Sequence, residues 1–200
     1  MLFGSKATFG IEAIAEPALS PPSAVWGRMR IWCQGTSIGD FSEEYCALYP
    51  SYLGLKTLRQ SLPTLWLPEF TDMPETALWN FCDGALYGFH RDTALDDRRT
   101  LEEMQQDSAH YGRFNFLTNW GEQFDDGGKS FIFCKPDGRV QILNRSFSGA
   151  LAREVSLTDT AAAIDAFMAW FEAEAERLQG AAMPNQKLQP TPSGAAERNR

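Results

Sequence analysis

The chain has 200 residues, of which 44% are hydrophobic, 22% charged and 12% aromatic, with 14 Phe and 6 Trp; this is the composition of a globular chain with a sizeable core, not of a disordered one. A formal net charge of -8 argues against a dedicated nucleic-acid binder, whose phosphate contacts need a basic surface. No apolar run reaches the ~18 residues needed to span a bilayer, and Lys6 and Glu12 interrupt the apolar residues of a start that lacks an export-signal pattern, so a cytoplasmic protein with no membrane partner is expected.

In chain order, Thr8 to Glu16 places Phe9, Ile11 and Ile14 among polar or small residues and reads as a strand. Pro17 to Ser23 is a Pro/Ser loop that ends it. Val25 to Cys33 puts Trp26, Arg28, Arg30 and Trp32 on one parity and Val25, Met29, Ile31 and Cys33 on the other, the period of a half-buried strand. Gln34-Gly35-Thr36 reads as a tight turn and Ser37 to Phe41 as a short returning strand. Residues 52–62 carry Leu55, Leu58 and Leu62 at helical spacing, stopped by Pro63 and Pro68. Residues 74–87 form a second helix, with Pro74 in its first turn and Ala77, Leu78, Phe81, Cys82, Ala85 and Leu86 on the face expected to meet a sheet.

Residues 90–110 are the most polar stretch and predict a mobile loop or an exposed helix. Arg113 to Leu117 reads as a strand, with Phe114 and Phe116 on one face, before the Asp- and Gly-rich 120–128. Lys129 to Cys134 and the stretch from Val140 to Leu143 form a second hairpin around Pro136-Asp137-Gly138-Arg139, since Asp-Gly supplies the positive φ that a hairpin turn needs. Residues 150–156 offer a further strand. Asp159 to Gln179 is the clearest helix, with Ile164, Phe167, Met168, Phe171, Ala175 and Leu178 as its stripe. The expected fold is α+β: a mainly antiparallel sheet, built from an N-terminal and a C-terminal hairpin, packed by two or three helices. Residues 1–179 form its single domain. Residues 180–200, with three prolines, two glycines and no aromatic residue, cannot bury enough apolar surface to offset chain entropy and predict a disordered tail. That tail carries +2, which leaves -10 on residues 1–179.

Motifs that carry chemistry are scarce. Cys33, Cys46, Cys82 and Cys134 form no Cys-x-x-Cys pair, so the close pairing usual in zinc sites is missing. Each has apolar or aromatic neighbours, which predicts buried free thiols for most of them, kept reduced in a cytosol. His90 and His110 lack the i, i+4 spacing of a zinc-binding helix and read as solvated. Gly54-Leu-Lys56-Thr57 lacks the glycine frame of a phosphate loop, and Ser148-Gly149 lacks the preceding glycine of a nucleophile elbow. No cofactor and no metal are implied.

The acidic pairs Glu43-Glu44, Asp96-Asp97, Glu102-Glu103 and Asp125-Asp126 do not alternate as calcium ligands do. They read as solvated charge, with steering of a basic partner as the functional alternative. The Trp26/Arg28/Arg30/Trp32 strand face is expected to lie under a helix, with its arginines at the rim; left open, it is a partner surface.

Certain ordered pieces resemble a known family. They are Met1-Leu-Phe-Gly4-Ser-Lys-Ala-Thr-Phe9-Gly-Ile11-Glu12, the strand Trp26-Gly27-Arg28-Met-Arg30-Ile-Trp32, Gly35, Ile38-Gly39-Asp40, Phe124-Asp125, Ser130-Phe-Ile-Phe133 and a closing helix. Together, over about residues 1–178, they are similar to the bacterial immunity protein 42 family of polymorphic toxin systems. Here Asp126-Gly127-Gly128 extends the turn before the strand. The resemblance implies a non-enzymatic α+β protein that binds and neutralises a cognate toxin domain, and it carries over no catalytic residue. Candidate partner contacts are Trp26, Arg28, Arg30, Trp32, Asp40, Asp96, Asp97, Asp125 and Asp126, the partner being a basic protein surface. The competing readings are a hydrolase-like or small-molecule-binding domain, which needs His90 or His110 converging with carboxylates in a deep pocket, and an adaptor with no toxin partner. The sequence leaves the oligomeric state open.

Overall fold

The structure, a computed structural model, describes residues 1–90, 93–95, 98–146 and 149–179. The expected tail 180–200 lies outside them.

The first sheet contains β1 (Leu2–Gly4), β2 (Phe9–Ala15), β3 (Trp26–Cys33) and β4 (Thr36–Ile38) in that order, and β5 (Cys46–Ala47) pairs with the start of β3. Every pairing is antiparallel, with Ile11 opposite Ile31 and Glu12 opposite Arg30. α1 (Tyr49–Ser61) follows and begins earlier than the leucine spacing predicts. Pro50 stands in its first turn, where a missing N–H costs no hydrogen bond.

α2 (Glu75–Tyr87) starts one residue later than expected, with Pro74 as its extended N-cap rather than in its first turn, and it buries Leu78, Trp79, Cys82 and Asp83. The face is thus turned toward Trp79 and Asp83, neither of which an apolar stripe counted from the sequence includes. Trp79 meets Phe131 edge-on at 5.7 Å, so the helix does pack on a sheet. The small pair β6 (Phe89–His90) and β7 (Thr93–Ala94) leads to α3 (Leu101–Tyr111). α3 is the exposed helix predicted for the polar stretch: it buries no residue. Its start is fixed by a capping box, in which the Thr100 hydroxyl accepts from the Glu103 N–H and the Glu103 carboxylate accepts from the Thr100 N–H.

The second sheet runs β11 (Gly149–Ser156), β10 (Arg139–Ser146), β9 (Lys129–Cys134), β8 (Asn115–Phe116), again antiparallel. The strand predicted over 113–117 shortens to two residues. Gly112–Phe114 forms a 3-10 turn, and Leu117 takes φ 64, which ends the extension. Phe114 and Phe116 are nevertheless fully buried. α4 (Leu157–Gln179) closes the fold and buries Thr160, Ala163, Ile164, Phe167, Phe171 and Leu178.

Both hairpins expected from the sequence are therefore present, the first widened by the short strands β1, β4 and β5 and the second by the short β8 and the eight-residue β11, and the fold is α+β. α4 lies on the aliphatic face of the first sheet: Phe3, opposite Ile11, packs edge-on to Phe167 at 5.9 Å. Phe70, Phe114 and Phe133 gather against the second sheet, with centroids 5.1–5.5 Å apart. Such pairs contribute about 0.5–1.5 kcal/mol each beyond their burial.

Candidate partner-binding face

Alternation along β2 and β3 sends Phe9, Ile11, Ala13, Met29, Ile31 and Cys33 inward, into the core that α4 closes over β1 and β2. The other parity, with Glu12, Ile14, Trp26, Arg28, Arg30 and Trp32, faces away from that helix. The sequence expectation that a helix covers the tryptophans is corrected here. Among the described residues the helix packs on the aliphatic parity, and Trp26 remains 38% exposed and Ile14 40% exposed. The physical reason lies in the residues themselves. The aliphatic parity has nothing to offer water, whereas tryptophan and arginine can lie flat on one another with polar ends exposed.

The open face has two halves. Around Trp32 the groups satisfy each other. Glu12 accepts from Arg30 Nε at 2.8 Å, from Trp32 Nε1 at 2.8 Å and from Lys6 Nζ at 3.3 Å. The Arg30 guanidinium lies 4.6 Å from both the Trp32 and the Phe41 rings, and Lys6 Nζ lies 4.5 Å from Trp32. Partial burial pushes the Glu12 carboxyl up, but the bonds from Trp32, Arg30 and Lys6 outweigh it and hold the group at about 2. A carboxyl lowered on folding stabilises the fold above its unfolded value of 4.5, and that contribution is lost as the pH falls toward 2. Solvent still reaches 19% of the side chain, which limits the effect to about 1 kcal/mol. Glu12→Gln is therefore expected to lose less stability than the wild type as the pH falls from 4.5 toward 2, measured by urea titration at a series of fixed pH values.

At the other half, Arg28 donates to Glu16 at 3.1 Å and to Glu44 at 2.8 Å. β5 pairs Cys46 with Gly27 and Ala47 with Trp26, so Tyr45 falls beside Arg28 and is 51% exposed. The segment before it is pinned to the 3-10 turn Glu122–Gly127: the Asp40 N–H donates to the Gln123 carbonyl at 2.7 Å. Gly39, at φ 106, makes that approach possible, since a β-carbon there would stand 2.7 Å from the Phe124 ring. Asp40 accepts from the Ser42 N–H and hydroxyl, and these bonds lower its pKa. Burial raises the pKa of the Cys46 thiol, and the nearby charges of Glu122, Glu43 and Asp40 raise it further.

Five of the candidate contacts therefore meet around one face: Trp26, Arg28, Arg30 and Trp32 on β3, and Asp40 at its rim. Asp125 is exposed on the turn that holds Asp40. Asp96 and Asp97, and the side chain of Asp126, lie outside the described residues. Tyr45 and Glu122 were not singled out by sequence reasoning. The available signal was a tyrosine set in the acidic run Asp40-Phe-Ser-Glu-Glu-Tyr45 and carrying no periodicity of its own.

Residues 1–164 match the family model described as immunity protein 42. The chain belongs to the immunity protein 42 family. The matched span contains both sheets and hence the whole open face. The fold is also similar to that of CdiI from Burkholderia dolosa AUO158, with a TM-score of 0.58 and 14% identity, over 85% of this chain and 99% of that one; at that identity the likeness shows the fold alone. No curated protein matches the chain in sequence.

All four cysteines are free and buried, where the sequence predicts it for most of them. Burial pushes the thiols of Cys33 and Cys82 up to about 12, far from the range of a reactive thiolate. His110 is exposed near the end of α3, with its ring against the edge of Tyr111. The hollow beside it is an open depression lined by α3 residues alone. No helix among the described residues is long and apolar enough to cross a membrane.

Proposed function

We propose that this chain is a non-enzymatic immunity protein that acts in the cytoplasm by binding a cognate toxin domain and neutralising it. The observation that carries the reading is the match to the immunity protein 42 family over residues 1–164. The open aromatic and charged sheet face supports it, because protein partners are anchored by exposed aromatics with a polar rim. The hydrolase-like reading needs His90 or His110 held beside a carboxylate in an enclosed pocket; His110 on its open helix surface does not supply one, and the side chain of His90 lies outside the described residues.

The test is co-expression with the toxin domain encoded beside the gene. Cells that make the toxin domain alone stop growing. Cells that also make this chain are expected to grow, and the two proteins are expected to copurify. Growth arrest that persists with soluble chain present, for every neighbouring toxin candidate, contradicts the reading.

A further inference from the structure

We propose that the toxin-facing contact is centred on Tyr45 and Trp26 and receives a lysine or arginine side chain from a basic surface of the partner, with a lip of carboxylates around it holding that surface by charge. The proposal rests on the immunity reading above and specifies where, and with what chemistry, the partner docks.

Three observations converge on this end of the sheet. The first is exposed apolar area. Tyr45, Ile14 and Trp26 are 51%, 40% and 38% exposed, and the strand pairings place them around Arg28. The second is backbone strain. Tyr45 takes φ 59, a left-handed conformation that is an outlier for a bulky residue and costs on the order of 1 kcal/mol. A half-exposed ring recovers little of that through burial, so folding alone gives no reason to keep tyrosine there. The third is charge. Asp40, Glu43, Glu44, Glu122 and Asp125 stand on the two loops that meet at β5. The cation among them, Arg28, is already shared between Glu16 and Glu44.

Two exposed aromatics beside loops rich in carboxylates suit a cationic side chain, which gains from the ring faces and from the charge near them. The Trp32 half of the same face offers less. Arg30, Lys6 and Glu12 already engage one another and the Trp32 ring there, so a partner would have to displace bonds already made. The arginines of β3 are thus supports for the aromatic surface, not its recognition elements.

The experiment measures binding of the full chain to the toxin domain encoded beside it, purified in a catalytically silent form. Tyr45→Gly removes the ring and suits the left-handed backbone, so it is expected to melt no lower than the wild type while binding about thirty-fold more weakly, the loss typical of a central anchor. Trp26→Ala is expected to lose a similar factor. Asp40→Lys combined with Asp125→Lys is expected to slow association at least tenfold at low salt. Leu101→Ser, on the exposed α3 and away from this face, serves as the control and should bind within threefold of the wild type. If the wild type binds and folded Tyr45→Gly loses less than tenfold, the docking site is overturned while the immunity reading stands. If the wild type does not bind, both fall.

Discussion

Lys129→Met is expected to lower the unfolding free energy by about 3 kcal/mol, the low end of the cost of removing the partner of a buried charge, because Lys129 itself stays 29% exposed. Asp83 is fully buried on α2, and Lys129 Nζ donates to its Oδ1 at 2.5 Å from the first residue of β9. The same ammonium lies 4.6 Å from the rings of Tyr87 and Phe89. One side chain therefore joins α2, the segment after it and the second sheet. Methionine keeps the apolar stem and the ring contacts but removes the charge that faces a carboxylate shielded from water. The melting temperature should fall by about 10 °C for a domain of this size. Adding Asp83→Asn to Lys129→Met should recover much of the loss, because a buried neutral pair avoids the desolvation cost. Urea denaturation of the two single variants and the double variant measures this directly. A single variant as stable as the wild type would mean that the pair does not hold the helix to the sheet.

Gly27→Ala is expected to cost about 2–3 kcal/mol, the upper part of the range for overpacking. A β-carbon at position 27 would stand 2.0 Å from the Ile14 carbonyl oxygen and 3.1 Å from the Ala15 Cα. Both are backbone atoms, so no side chain can turn away, and β2 must separate from β3. The damage reaches the partner face, because Ile14 and Trp26 flank this point and the Glu16 N–H donates to the Trp26 carbonyl. Hydrogen exchange should show the Glu16 amide losing protection first, since that bond lies next to the clash. Unchanged stability and unchanged protection would contradict the register of the N-terminal hairpin.

The parts of the fold legible in the sequence are those whose burial follows a simple period. Met29, Ile31 and Cys33 alternate with Arg28, Arg30 and Trp32, and that alternation is the strand. The stripe of α4 places Ile164, Phe167, Phe171 and Leu178 in the core. The short strands β1, β5, β6 and β7, of two or three residues each, are too short to carry a period. Asp83 defeats an apolar count because its burial is made possible by Lys129, 46 positions away. The candidate face was legible in its residues but not in its surroundings. Periodicity separates the tryptophan parity from the aliphatic one, but it cannot say which parity the last helix covers. Tyr45 was hidden for another reason: its left-handed backbone is imposed by the pairing of β5 with β3 and by the loop pinned at Asp40, and no local residue preference signals it.

On the reading proposed above, this member of the immunity protein 42 family disarms a toxin by direct binding. The measurement that tests it most directly is a titration of the toxin domain encoded beside the gene with the purified full chain, following heat and toxin activity in the same samples. A saturable complex whose formation extinguishes the toxin's activity is the predicted result. An active toxin domain that neither binds nor slows in the presence of folded chain would contradict the account.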